Sequence, residues 1–275
     1  DAIVQDLREH LIGTPGLKQL EVAGSYRRGK ETIGDLDLLV EAADEKPVMD
    51  RLAEYPGVKD LIGRGETKMS VRLDTGLQVD LRVVPKKSFG AALQYFTGSK
   101  DHNVILRGMA KDKGLKINEW GVYRVDKEGN EQGNSVAGRT EKEVYATLDL
   151  PCFPPELREA RDEFAWAAAG KLPKLIELGD IQGDLHMHTS ATDGKNTIRE
   201  MATAAKELGL KYIAITDNSK RVTMARGLNV ERALEQWAEV DRANKELDGF
   251  RILKGIECDI LEGGGMDLPD DVLAE

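Results

Sequence analysis

Cysteine is scarce in this chain. Cys152 and Cys258 are the two thiols in 275 residues, and they lie far apart with no metal-type spacing. That excludes a disulfide framework and points to a reducing compartment with two free thiols. No apolar run reaches membrane-spanning length and no signal-peptide pattern is present, so a cytoplasmic protein with no membrane partner is expected. Positive charge is not in excess either. There are 39 Lys/Arg against 49 Asp/Glu, a net charge of −10, which argues against a strong general-purpose basic surface. The imbalance is uneven: residues 1–150 hold 23 Lys/Arg and 25 Asp/Glu, whereas residues 151–275 hold 16 and 24. Nucleic-acid binding therefore stays open for the first half. Internal repeats and low-complexity segments are absent. A methionine is missing at position 1, which reads as a fragment of a longer protein, yet 275 residues suffice for two domains with cores.

What is present is concentrated in residues 24–40, Gly24-Ser25-Tyr26-Arg27-Arg28-Gly29-Lys30-Glu31-Thr32-Ile33-Gly34-Asp35-Leu36-Asp37-Leu38-Leu39-Val40. Its end is an apolar run of strand length interrupted by one carboxylate. Side chains on a strand alternate, so Asp35, Asp37 and Leu39 point one way while Leu36, Leu38 and Val40 point into the core. Two carboxylates on one face repel each other, and a divalent cation between them relieves the repulsion; oxygen ligands suit magnesium or manganese. Gly24 and Ser25 let backbone N–H groups face an anion beside the positive charges of Arg27, Arg28 and Lys30. A second strand, 77–84, carries Asp80 on its polar face. The plain alternative is a solvated strand face preceded by a turn-rich loop.

This set resembles the nucleotidyltransferase signature of the family X DNA polymerases, the DNA polymerase beta relatives. The similarity continues through Gln78-Val79-Asp80-Leu81-Arg82 and Tyr95-Phe96-Thr97-Gly98-Ser99-Lys100-Asp101-His102-Asn103. The resemblance implies that Asp35, Asp37 and Asp80 are catalytic and bind two magnesium or manganese ions. It implies further that Gly24, Ser25, Arg28 and the Gly34 backbone hold a triphosphate, and that Tyr95, Phe96 and Gly98 lie against the sugar of the incoming deoxynucleoside triphosphate. Asn103, with Arg107 one helical turn on, would face the minor-groove edge of the nascent pair. The alternative is that the two aromatics are core residues and Arg107 is a solvated charge. The lyase-like domain and the hairpin element that precede the signature in relatives are not visible before Gly24, and 13–16 reads as a turn.

Along the chain, helices are expected over 1–12, 46–55 and 100–113, and strands over 17–22, 69–73 and 77–84. Ser88 is expected to cap a helix carrying Ala91, Ala92, Leu93 and Phe96. Residues 115–125 and the segment around 135–136 should form a hairpin, and Thr140 with Glu143 a capping box. Prolines at 151, 154 and 155 mark a boundary, and 154–178 reads as a helical, charged connector.

From Gly183 the character changes. Asp184-Leu185-His186-Met187-His188 reads as a strand with two imidazoles on one face, followed by Asp193 in a loop. Helices are expected near 198–208 and 230–247, and strands over 212–216, ending at Asp217, and 252–256, ending near Glu257. Ligand-type residues at the ends of alternating strands follow barrel logic. This segment resembles the PHP (polymerase and histidinol phosphatase) domain, which implies metal ligands at His186, His188, Asp193, Asp217 and Glu257, with manganese or zinc as the cofactor. The alternative is a pair of histidines satisfied by backbone partners. Where the family commonly has Asp-His, this chain reads Asp217-Asn218, and its four histidines are His10, His102, His186 and His188. Further family ligands must lie beyond Glu275 or be missing, so an impaired hydrolase is expected.

The expected fold is α/β and α+β: a nucleotidyltransferase palm sheet with a thumb-like α+β subdomain, then part of a distorted β/α barrel. The expected division is a catalytic core over 1–150, a connector over 151–180 and a partial PHP domain over 181–275. The expected function is template-dependent DNA polymerisation in short-gap repair, with an attached 3′-5′ exonuclease. Its partners would be gapped or primed DNA and deoxynucleoside triphosphates, acting on a monomer associated with the nucleoid. A template-independent nucleotidyltransferase, or a polymerase with a non-catalytic PHP scaffold, are the alternatives.

Overall fold

Apolar alternation in residues 17–84 builds a sheet. The computed structural model describes residues 1–275, and the chain divides into two compact units, 1–173 and 174–275. In the first unit, helix α1 (Ala2–Leu11) leads to strand β1 (Leu17–Val22) and the one-turn helix α2 (Gly24–Arg27). Strand β2 (Asp35–Ala42), helix α3 (Lys46–Ala53) and strands β3 (Val58–Arg64), β4 (Lys68–Leu73) and β5 (Gln78–Val84) follow. The strand order is β1-β2-β5-β4-β3. The central pair β2/β5 is parallel and sets Asp37 opposite Asp80.

Both faces of this sheet are covered, but not equally. Leu7 and Leu11 of α1 and Val48 and Leu52 of α3 pack on Leu36, Leu38, Val40, Val79 and Leu81. On the other face, Leu39 and Val84 are buried against Phe89, Ala92 and Leu93 of helix α4 (Phe89–Thr97). The face of Asp37 is thus solvated only in part, because α4 covers the strand from Leu39 onward. Strand β3 escaped the sequence reading: it is the sheet edge, and nearly all its residues are exposed, so no periodic apolar signal marks it.

Helix α5 (Lys100–Asp112) starts at Ser99, whose Oγ accepts the His102 N–H at 3.3 Å, and stops before Gly114, which has φ of 67°. The stretch 115–125 is two strands rather than one. Asn118 Oδ1 accepts from the N–H groups of Trp120 (2.9 Å) and Gly121 (3.2 Å) and turns the chain between β6 (Leu115–Asn118) and β7 (Gly121–Val125). With β8 (Glu131–Ala137) they form a three-stranded sheet. Ser88 does not cap α4; its hydroxyl donates to Trp120 O at 2.9 Å instead. Thr140 does cap helix α6 (Glu141–Ala146), accepting from Glu143 N–H at 3.1 Å, while Glu143 reaches back to Arg139 N–H rather than to Thr140.

The helical reading of 154–178 is corrected. The segment holds a 3₁₀ turn at Pro155–Leu157 and one short helix, α7 (Glu163–Ala168), and is otherwise irregular as far as Leu178. Its course is fixed by polar anchors rather than helical periodicity: Arg158 and Glu163 are both fully buried in the first unit.

In the second unit, β9 (Gly183–Asp184), helix α8 (Ile198–Glu207), β10 (Tyr212–Ile215), helix α9 (Val230–Glu246) and β11 (Arg251–Lys254) alternate, and a last turn α10 (Asp270–Leu273) follows. The strands are parallel, in the order β11-β10-β9. Ile198, Ala202 and Ala205 of α8 and Val240 and Ala243 of α9 pack on Ile213, Ile215 and Ile252. Two expected strands end early: β9 stops at Asp184, and β11 stops at Lys254. His186 and His188 therefore sit on a loop, held by Met187 N–H to Thr216 Oγ1 (3.0 Å) and Thr216 N–H to Met187 O (2.9 Å). No helix is long and apolar enough to cross a membrane.

Two glycines give opposite expectations. A Cβ on Gly90 of α4 would fall on the Thr140 backbone, which Ala91 N–H to Gly138 O (2.9 Å) keeps close. Gly90→Ala should therefore destabilise by about 1–3 kcal/mol. Gly108, in α5, has nothing within 4 Å of a built Cβ. Gly108→Ala should stabilise by about 0.5–1 kcal/mol. Urea denaturation checks both, and equal midpoints for the two variants would contradict this packing of α4 on α6.

Candidate active sites: a carboxylate cleft and a histidine cluster

The parallel register of β2 and β5 brings Asp35, Asp37 and Asp80 to one place. Asp80 is 8% exposed; Lys68 Nζ lies 2.8 Å away and Gln78 Nε2 donates at 3.0 Å. Burial works to raise its pKa, but hydrogen bonds from Lys68, Ser70 and Gln78 outweigh it and hold the carboxyl below the usual range. Asp37 goes the other way. Burial, then the charges of Asp35 and Asp80, push its carboxyl up to about 6, with Arg82 and Lys68 offsetting only part. Gly24, at φ of 64°, lies so close that a Cβ there would meet the Asp37 carboxylate. Three clustered carboxylates whose repulsion is only partly offset form a hard-oxygen donor set that fits a magnesium- or manganese-type cation.

A cleft of about 380 Å³ opens beside them. Gly24, Ser25, Arg28, Asp35 and Asp37 line it from one side, and Tyr95, Phe96, Gly98, Asn103 and Arg107 from α4, α5 and the turn between. Gly34 and Asp80 are not among the lining residues. Tyr95 and Phe96 are half-buried and meet edge to face at 5.0 Å between centroids, and the Arg82 guanidinium lies 4.1 Å over the Phe96 ring. The two rings thus pack on each other and both line the cleft. Asn103 is held rigidly: its Oδ1 accepts from Gln94 Nε2 at 2.7 Å and its Nδ2 donates to Tyr95 O at 2.8 Å.

The positive charge of residues 27–30 is less available than the sequence suggested. Arg27 turns away and makes a two-pronged bond to Glu141 (2.9 and 2.7 Å), with a third to Thr97 Oγ1. Arg28 donates Nε to Glu159 (2.8 Å) and Nη1 to Thr97 O (2.6 Å), and Lys30 stands 3.4 Å from the same Glu159 oxygen. Glu141, Glu159 and Lys68 were missed from sequence; their partners lie up to 131 positions away, beyond any local pattern.

In the second unit, His186, His188 and Glu257 bring one ligand atom each to within 4.8 Å of one another. Glu257 Oε2 is 2.9 Å from His188 Nε2 and 3.5 Å from His186 Nε2. Although close to that carboxylate, the buried His188 Nε2 has no aligned hydrogen bond. A short distance with poor alignment leaves the nitrogen lone pair for a cation, so the three residues fit a metal. Asp193 and Asp217 stand outside the cluster. Asp193 Oδ1 meets His188 Nδ1 at 2.8 Å and so holds the ring from behind. Burial lowers the His188 pKa, but Asp193, Glu257 and Asp217 together raise it above its ordinary value. Asp217 is fully buried and accepts from Thr189 N–H (2.8 Å), Thr189 Oγ1 (2.6 Å), Thr192 Oγ1 and Gln236 Nε2 (2.6 Å). Its lone pairs are used in pinning the loop. Asn218 lies 3.2 Å from His188 Nδ1 and donates to Asp193 at 3.1 Å.

Residues 2–90 match the family model described as DNA polymerase beta palm, residues 92–159 match DNA polymerase beta thumb, and residues 184–271 match the PHP domain. Among curated proteins, the DNA polymerase/3′-5′ exonuclease PolX of Bacillus subtilis (strain 168) is 43% identical over 275 residues, covering 99% of this chain and 47% of that protein. DNA polymerase lambda of Rattus norvegicus is 33% identical over 177 residues, which is 53% of this chain and 29% of that protein. DNA polymerase lambda of Arabidopsis thaliana is 30% identical over 186 residues. The chain spans about half the length of the bacterial relative and less of the other two.

The crowding of Asp37 predicts a pH dependence. Its carboxyl is raised from 3.8 to about 6 in the folded chain, so between these values the folded state binds more protons than the unfolded one. Metal-free stability should therefore fall as pH rises from about 4 to 6 and stay lowered above it. Asp37→Asn removes the ionised carboxylate. In urea denaturation without metal, it should exceed the parent by about 1–3 kcal/mol at pH 7 and match it at pH 4. A variant less stable than the parent at pH 7 would contradict the crowding.

Proposed function

Because this chain belongs to the family X DNA polymerases that carry a PHP domain, we propose that its first half adds deoxynucleotides to primed or gapped DNA under template direction. One observation carries this reading: a single cleft brings the phosphate-loop residues Ser25 and Arg28 together with Asp35, Asp37 and the α5 residues Asn103 and Arg107. Magnesium or manganese held by Asp35, Asp37 and Asp80 would lower the pKa of the primer 3′-hydroxyl and neutralise the departing pyrophosphate. Arg28, Ser25 and Gly24 bind the triphosphate, and Tyr95, Phe96 and Gly98 pack against its sugar; Gly34, outside the cleft lining, keeps no contact in this reading. Asn103 is presented on a fixed amide, and Arg107 stands exposed one turn further, where a minor-groove edge would pass. A template-independent transferase would have no use for that pair.

The second half is a metal-dependent phosphoesterase acting on 3′ ends, with manganese or zinc held by His186, His188 and Glu257. Asp193 orients His188 and Asp217 fixes the loop, a reassignment supported by their hydrogen bonds. The functional division is a polymerase core over 1–150, a connector over 151–180 whose first residues, Phe153, Arg158 and Glu163 among them, pack into that core, and a PHP segment over 181–275. The protein works as a cytoplasmic, nucleoid-associated monomer in short-gap repair.

Two experiments test this. Asp80→Ala should melt near the parent temperature yet lose extension of a gapped template by at least about 100-fold, the scale set by removing one charge-stabilising group. Extension at the parent rate would remove the metal assignment, and incorporation indifferent to the template base would favour the template-independent reading. In the second half, Asn218 offers Asp193 a donor where an imidazole would offer a ligand. Asn218→His should raise bound manganese and 3′-end hydrolysis together; vigorous hydrolysis in the parent, unchanged by the substitution, would show that the asparagine is tolerated.

A further inference from the structure

Arg28 is the wall between two cavities. On one side lies the cleft of about 380 Å³ with Asp35 and Asp37. On the other lies a space of about 360 Å³ lined by Arg28, Lys30, Leu157, Glu159 and Trp166 among others. A long side chain with open space on both sides needs something to hold it, because an unrestrained guanidinium loses rotamer entropy each time it must meet a ligand. Two contacts do this here. Thr97 O takes Nη1 at 2.6 Å, and Glu159 Oε1 takes Nε at 2.8 Å, leaving Nη2 without a partner in the protein.

The side from which Glu159 approaches decides its effect. It lines the second cavity and not the cleft, so its carboxylate reaches the guanidinium from behind and does not occupy the place of a ligand. It is itself set firmly. The residue before it, Arg158, is fully buried, with its guanidinium bound to Glu141 (2.5 Å) and Phe153 O (2.7 Å) and its carbonyl accepting from Ser99 N–H (2.9 Å). The residues after it, Ala160 and Arg161, donate their N–H groups to the buried Glu163 at 2.7 and 2.8 Å. Lys30 Nζ, 3.4 Å from Glu159 Oε1, adds a second cation on the same oxygen.

We infer that Glu159 is a positioning residue for nucleotide binding: it fixes the Arg28 guanidinium with its free Nη2 edge toward the cleft, where the phosphates of a deoxynucleoside triphosphate would be received. This rests on the reading of the cleft as a nucleotide site. A neutral acceptor of the same length should serve nearly as well, since the role is geometric, whereas a truncated side chain should let Arg28 relax into the space behind it.

The test is single-nucleotide insertion on gapped DNA with the full chain, measuring KM and kcat for a deoxynucleoside triphosphate. Glu159→Ala should raise KM about tenfold, the scale of one lost charge-assisted hydrogen bond, with a smaller change in kcat. Glu159→Gln should stay within about twofold of the parent, and Glu159→Asp, too short to reach Nε, should resemble Glu159→Ala. If Glu159→Ala fails to fold, by circular dichroism, the Gln and Asp pair carries the comparison. Glu159→Ala placed on an Arg28→Ala background should add nothing, because the residue acts through Arg28. An equal KM increase in both backgrounds, or a parent-like KM for both Glu159→Ala and Glu159→Asp, would overturn the inference. A KM unmoved by Arg28→Ala alone would instead bring down the nucleotide reading of the cleft, and the inference with it.

Discussion

The parallel pairing of β2 with β5 places Asp37 directly across from Asp80, and the electrostatic cost of that juxtaposition shapes everything near it. Lys68 on the neighbouring strand β4 meets Asp80, and Arg82, two residues further along β5, offsets part of the charge on Asp37. The remaining strain is visible in the raised carboxyl of Asp37. A fold that served stability alone would separate these groups. Holding them together on paired strands keeps three carboxylates close at a cost borne by the rest of the sheet, as the proposed cation site requires.

A second constraint joins Arg27 and Arg28 to the following subdomain. Glu141 is shared by Arg27 and Arg158, and Arg28 is shared by Thr97 and Glu159. With side-chain exposures of 23%, 10% and 1% for Arg27, Glu141 and Arg158, these charges are largely withdrawn from water. Such a network is weak evidence for stability, since desolvation offsets much of the attraction, but it fixes geometry because losing one member leaves another uncompensated. Behind it, fully buried His102 bonds Glu163 through Nδ1 and the Tyr145 hydroxyl through Nε2, each at 2.9 Å, so the helix that presents Asn103 is anchored from the core side. Burial holds the His102 pKa below its ordinary value despite Glu163.

How much of this was legible in the sequence depended on whether the cause was local. Strands β2 and β5 showed themselves through alternation of Leu36, Leu38, Val79 and Leu81 with carboxylates, and α5 through the Gly98-Ser99 turn before it and Gly114 after its end. The edge strand β3 has no buried face and left no pattern. The segment after Pro154 looked helical from composition, yet Arg158 and Glu163 are held by distant partners that override periodicity. At the histidine cluster the residue types were legible but their roles were not: Asp217 and Glu257 read alike in sequence, and only hydrogen bonding shows that the first is saturated while the second faces both imidazoles.

Cation binding by the carboxylates of β2 and β5 together with a triphosphate is the property on which the proposed chemistry depends. Electron paramagnetic resonance of free manganese, titrated into protein with gapped DNA and a deoxynucleoside triphosphate, measures this directly. Comparing the parent with an Asp35→Asn/Asp37→Asn double variant cancels the ions bound by the histidine cluster. The parent should bind about two more manganese ions per chain than the variant; identical binding curves would show that Asp35 and Asp37 hold no cation.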